Sequence, residues 1–184
     1  MRTRFLSNLI SCIILLLLLD LAFAFSSNAN LEVLQMQIKI TSTAFKEGEF
    51  IPSKYTCDGK NIMPPLSWQG IPPETQSIVL IVDDPDAPGG TFTHAIFFDI
   101  DPKKESLSEG ETPGVAGIND FGRLGYGGPC PPRGHGVHRY YFKVYALDIP
   151  SLKLKSGANK SAVEKAMKGH ILAYGELAGK YERM

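Results

Sequence analysis

The chain of 184 residues has no excess charge: 19 Lys and Arg stand against 19 Asp and Glu, for a formal net charge of +0. That balance gives no sign of a nucleic-acid binder or of a polybasic membrane surface. Several enzyme signatures are also missing. There is no Gly-x-Ser-x-Gly elbow, no Walker loop, no Gly-x-Gly-x-x-Gly after a strand and no His-Glu-x-x-His pair. No interval repeats, which excludes a solenoid, and no linker divides the chain beyond its N-terminal segment, so one domain is expected. Cysteine is scarce, at 3 residues. Glycine and proline are not, at 18 and 13, and they point to a turn-rich β protein.

The first 24 residues read as a signal peptide. Arg2 and Arg4 form a basic start. Residues 9–19 are apolar apart from Ser11, and Ala22-Phe23-Ala24 offers small residues where a signal peptidase reads. The apolar run is short for a span of about 20 residues, and no stop-transfer pattern follows. The chain is therefore expected to be exported, secreted or periplasmic, beginning near Phe25, with a flexible leader over 25–36 and a folded domain over 37–184. Removal of Cys12 leaves Cys57 and Cys130, and two cysteines in an exported protein most simply form a disulfide. Such a bridge would add roughly 4 kcal/mol in the chain-entropy model.

Within the domain, residues 36–42 alternate apolar and polar and predict a half-buried strand. A short strand is expected to follow Pro64-Pro65. Residues 77–84 and 91–100 are apolar on both faces, the pattern of doubly covered central strands. Residues 138–147 predict a third. Asn159 is placed to cap a short helix that Gly169 stops, and residues 170–181 are read as a strand. Residues 101–127 are polar and glycine-rich with no clear period and predict a long ordered connection, unusual enough in a compact domain to hint at function.

The chemistry is expected at the strand ends. Asp84 closes the first central strand and leads into Pro85-Asp86-Ala87-Pro88, a stiff turn. Alternation puts Asp84 on the face of Ile78, Leu80 and Val82, puts His94 with Ile96 and Phe98, and puts His138 with Tyr140 and Phe142. One histidine on an apolar face is usually a satisfied core residue. Two of them with an aspartate, each beside a Pro/Gly loop, predict one pocket. The loop Gly127-Gly128-Pro129-Cys130-Pro131-Pro132-Arg133-Gly134-His135 could offer backbone N–H groups as an anion nest. Histidine and Tyr140 could donate to the same anion. The competing chemistry is a metal-dependent or acid–base enzyme using His94, His138 and Asp84, which have the composition of a two-histidine, one-carboxylate metal site.

In their order and spacing, Asp84-Pro85-Asp86-Ala87-Pro88, His94, and Gly128-Pro129, Pro132 and His138-Arg139-Tyr140 resemble the phosphatidylethanolamine-binding protein family. Tyr55-Thr56-Cys57-Asp58-Gly59, Pro64-Pro65-Leu66-Ser67-Trp68 and Gly128-Pro129-Cys130-Pro131-Pro132 are similar to its bacterial and archaeal Raf-kinase-inhibitor-like branch. The resemblance covers about residue 37 to residue 183. It implies a mainly β fold, an antiparallel β-sandwich with Greek-key character and a few short peripheral helices. It also implies a ligand pocket from Asp84, Asp86, Pro88, His94, Gly128, Pro129, His138 and Tyr140. The implied activity is non-enzymatic binding of a phosphorylated head group or similar small anion, with no cofactor or catalytic residue. A kinase or protease partner is also implied, since several members inhibit such enzymes. Cys130 and Pro131 lengthen the loop relative to the eukaryotic form, and no counterpart of the animal C-terminal helix follows Tyr181.

Overall fold

The computed structural model describes residues 38–184. The expected signal peptide and leader lie outside the described residues. The described chain forms two antiparallel sheets and one α-helix. The small sheet pairs β1 (Lys39–Thr41), β2 (Leu66–Gln69) and β5 (Ser106–Leu107) in the order β1-β2-β5. The large sheet also contains β3 (Ser77–Asp84), β4 (Phe92–Ile100), β6 (Val115–Ala116), β7 (His138–Leu147) and β8 (Ile171–Tyr181), in the order β6-β4-β3-β7-β8. The late strand β7 returns beside β3, and the strands of the small sheet come from both sides of the β3–β4 hairpin. These crossovers give the sandwich its Greek-key character.

All eight residues of β3 are buried. Ile78, Leu80 and Val82 face the small sheet and pack with Ile40, Leu66, Trp68 and Leu107. Val79 and Ile81 point the other way, into a second apolar layer with Leu152, Val163 and Met167. That layer is closed by α1 (Lys160–Met167). Each large apolar side chain so buried contributes about 1.5–3 kcal/mol relative to exposure. The Asn159 side chain caps α1 by accepting from the Ala162 N–H at 3.0 Å, and Gly169 at φ +85° turns the chain out.

Two features go beyond the expectations. The ordered connection over residues 101–127 carries β5, β6 and a bridge between Ile118 and Leu124. Strands of two residues are too short to show alternation. The second concerns His94. In the β3–β4 ladder Val82 pairs with Ala95, but Asp83 pairs with Thr93, so His94 is an extra residue in a β-bulge. Beyond the bulge Ile96 and Phe98 pack in the helix-covered layer. His94 instead lies edge-on to Tyr140, at 5.2 Å between ring centroids, on the sandwich side. The bulge turns this imidazole away from the face that strict alternation assigns to it.

Candidate functional site

The C-terminal end of β3, the bulged start of β4 and the start of β7 meet at one end of the large sheet. There they enclose a pocket of about 180 Å³, walled by Asp84, Pro88, His94 and His138 and by Phe92, Phe121, Pro131 and Pro132. Strand order explains the convergence. The antiparallel pairing of β3 with β7 carries Asp83 to Tyr141, so the last residue of β3 reaches the first of β7.

Asp84 and His138 are both buried and paired. His138 Nδ1 donates to Asp84 Oδ2 at 2.7 Å. A carboxylate of this kind only accepts, so Nδ1 carries the hydrogen. Nε2 is met by Nδ1 of His135 at 2.8 Å. The other Asp84 oxygen accepts from the Asp86 N–H at 2.8 Å, an Asx turn around Pro85. Asp86 faces away from the pocket. Its carboxylate takes the Arg139 guanidinium in a fork, at 2.8 and 2.7 Å, together with the Arg139 backbone N–H at 2.9 Å. The guanidinium hydrogen bond pulls the Asp86 pKa down to about 2.

His94 is buried, and its Nδ1 donates to the Gly127 carbonyl at 2.6 Å. The Gly127 N–H returns to the His94 carbonyl at 2.9 Å. Burial lowers the His94 pKa from 6.5, and the Gly127 carbonyl only partly opposes it. The ring is thus neutral, with Nε2 as an acceptor. Tyr140 does not line the pocket; its ring packs edge-on behind His94, at 5.2 Å between centroids. It is fully buried, and its hydroxyl lies near the Asp84 carboxylate but makes no hydrogen bond within 3.5 Å among the described residues. Burial, and then the nearby Asp84 carboxylate, push its pKa well above the usual phenol range.

The loop residues play another part. The Gly128 N–H donates to Asn61 Oδ1 at 2.6 Å, and the Pro129 carbonyl accepts from the Cys57 N–H at 3.1 Å. With the Gly127 N–H also engaged, these glycines do not present a free anion nest. They attach the loop to the turn at residues 53–61, which Tyr126 also reaches through its hydroxyl on the Tyr55 carbonyl. The Cys57–Cys130 disulfide completes that attachment, with Cα atoms 5.4 Å apart, and Cys130 itself lines the pocket. Of the expected site residues, Asp84, Pro88, His94 and His138 line the pocket, and Tyr140 stands behind His94 without lining it. Asp86, Gly128 and Pro129 hold its frame. Among the described residues no group of three or more His, Cys, Asp or Glu side chains converges as a metal site.

Residue pattern did not single out Phe92, Phe121 or Asn119. Asn119 is buried and organises the outer loop. Its amide nitrogen donates to the His94 and Gly125 carbonyls, and its oxygen accepts from the Phe121 and Arg123 N–H groups. An asparagine between Ile118 and Asp120 in a short polar loop is the sole sequence signal for it.

Residues 41–182 match the phosphatidylethanolamine-binding protein family model. The chain belongs to the phosphatidylethanolamine-binding protein family. It is 55% identical over 150 residues to a UPF0098 protein of Pyrococcus horikoshii, covering 77% of this chain and 75% of the relative. A UPF0098 protein of Aquifex aeolicus is 54% identical over 151 residues, covering 79% and 88%. Among solved structures, a phosphatidylethanolamine-binding protein homologue from Chlamydia trachomatis superposes with TM-score 0.76 at 44% identity, covering 80% of this chain and 99% of that one. YbcL of E. coli, described as a member of the mammalian family, gives 0.75 at 32% identity with the same coverage.

Proposed function

We propose that this chain is an exported, non-enzymatic binding protein whose pocket holds a small oxyanion, phosphate or a phosphorylated head group, and that it modulates a partner enzyme through that pocket. The observation that carries the reading is the Tyr140 hydroxyl, a buried donor behind the pocket residues His94 and Asp84 that makes no hydrogen bond within 3.5 Å among the described residues. Leaving such a group unmade costs about 1–3 kcal/mol, a cost that a bound oxygen would remove. His94 Nε2 adds an acceptor that suits a protonated phosphate oxygen. The apolar walls of Phe92, Phe121 and the prolines lower the local polarity and strengthen both interactions. The family's name points to the same ligand chemistry. Export is supported by the apolar N-terminal run and by the disulfide, a bond kept in oxidising compartments.

Thermal unfolding with sulfate, phosphate and phosphoethanolamine, against chloride at matched ionic strength, tests the ligand class. A ligand present at a hundred times its Kd should stabilise by about 2.7 kcal/mol. Equal melting temperatures in all four salts would overturn the reading. Intact mass of exported protein should show a chain beginning near Phe25.

A further inference from the structure

An oxyanion pocket with an ionised aspartate in its wall has an electrostatic conflict, because the ligand and Asp84 repel each other. Asp84, His138 and His135 form a continuous hydrogen-bonded chain, with links of 2.7 and 2.8 Å. Its inner members are buried, and His135 is exposed. The outer end opens into a separate, wider cleft of about 360 Å³, lined by Asp86, Val137, Arg139 and Lys180 as well as by His135 and His138. His138 therefore stands in the wall of both cavities.

We infer that His135 is the proton port of the pocket, and that an anion binds together with a proton taken up through His135 onto the His135–His138–Asp84 chain. The inference rests on the anion reading above. The transfer is balanced and moves no heavy atom. A solvent proton adds to His135 Nε2. The hydrogen on His135 Nδ1 passes to His138 Nε2. The hydrogen on His138 Nδ1 stays shared with Asp84 Oδ2. The chain goes from one net negative charge to neutral, which removes the charge that opposes the anion.

The surrounding groups leave this chain as the place for the proton. Asp86 and Arg139 neutralise each other through their forked pair. His94, facing from β4, is held neutral by burial. Tyr181, opposite His138 in the β7–β8 ladder, donates its hydroxyl to Asp58. Tyr140 keeps its proton. Lys180, opposite Arg139 in the same ladder, is a cation of the outer cleft that attracts anions but adds no proton.

The test is calorimetric titration of the full exported chain with sulfate, which brings no proton of its own near neutral pH. Titration in buffers of different ionisation enthalpy gives the protons taken up per sulfate. Ring-nitrogen NMR of the same samples shows which imidazole receives them. The wild type should take up most of one proton at pH 7.5, with an imidazolium signal on His138, His135 switched to its Nε2–H tautomer, and no imidazolium on His94. His135→Gln keeps a donor to His138 Nε2 but cannot be protonated. It and His135→Ala should both bind sulfate about tenfold more weakly at pH 7.5, with the affinity profile displaced to lower pH by roughly one unit, the equivalent of that factor. Sulfate binding without proton uptake, uptake unchanged in both variants, or a proton on His94 would overturn the inference and leave the anion reading intact. Absence of sulfate binding at every pH would overturn both.

Discussion

His138 donates from Nδ1 to the Asp84 carboxylate across 2.7 Å, and both side chains are buried. Asp84 ends β3 and His138 begins β7, so the bond also closes the end of the central strand pair. Removing one partner leaves the other polar group buried without compensation. His138→Ala should therefore lower stability by about 3–5 kcal/mol. The double variant Asp84→Ala, His138→Ala should be less destabilised than the sum of the two single variants. Urea unfolding of the four proteins measures the cycle, and strict additivity would show the pair to be uncoupled.

His94 contributes to the pH dependence of stability. Burial lowers its folded pKa below 6.5, so the unfolded chain binds more protons in that range. The sign follows from linkage: stability is fully present above the unfolded value and is lost as pH falls below it. A buried neutral histidine must be charged as the protein unfolds in acid. His94→Phe should flatten the decline of melting temperature between about pH 7 and pH 5. A decline as steep as that of the wild type would show that His94 has no part in it.

Gly128 is a packing requirement. A Cβ there would collide with the Tyr55 carbonyl oxygen and sit 2.8 Å from Asn61 Oδ1. Gly128→Ala should cost about 1–3 kcal/mol through overpacking. The cost should persist in saturating sulfate if the glycine serves the frame and not the ligand. Denaturation with and without sulfate distinguishes the two roles.

The disulfide joins residues 73 positions apart. In the chain-entropy model that loop contributes about 4 kcal/mol. The variant Cys57→Ala, Cys130→Ala should show most of that loss in urea and should weaken sulfate binding, because Cys130 lines the pocket. A variant as stable as wild type would mean that the hydrogen bonds from Cys57, Gly128 and Tyr126 hold the loop unaided.

Much of the fold was legible because its main strands are long. The unbroken apolar residues of β3 announce a strand covered on both faces, and Asn159 and Gly169 mark both ends of α1. What was not legible depends on pairing. The bulge at His94 exists only as a mismatch between β3 and β4, so alternation along β4 alone assigns the ring to the wrong face. β5 and β6 are fixed by their neighbours across the sheet and have no pattern of their own. Asp84, His94 and His138 could be placed in one pocket from their positions at strand ends. The engagement of the Gly127 and Gly128 N–H groups could not, since their acceptors, the His94 carbonyl and the Asn61 side chain, lie 33 and 67 positions away. His135 is an exposed loop residue, and only its bond to His138 gives it a role.

The central claim is that the pocket holds an oxyanion against the Tyr140 hydroxyl, and Tyr140→Phe isolates that group. The substitution keeps the ring and removes a buried oxygen that makes no hydrogen bond within 3.5 Å among the described residues. Stability without ligand should be unchanged or raised by about 1 kcal/mol, because the cost of the orphaned hydroxyl disappears. Sulfate affinity measured by calorimetry should fall ten- to a hundred-fold, the equivalent of roughly 1.5–3 kcal/mol for a hydrogen bond to a charged group. A variant that binds sulfate as tightly as wild type would contradict the account.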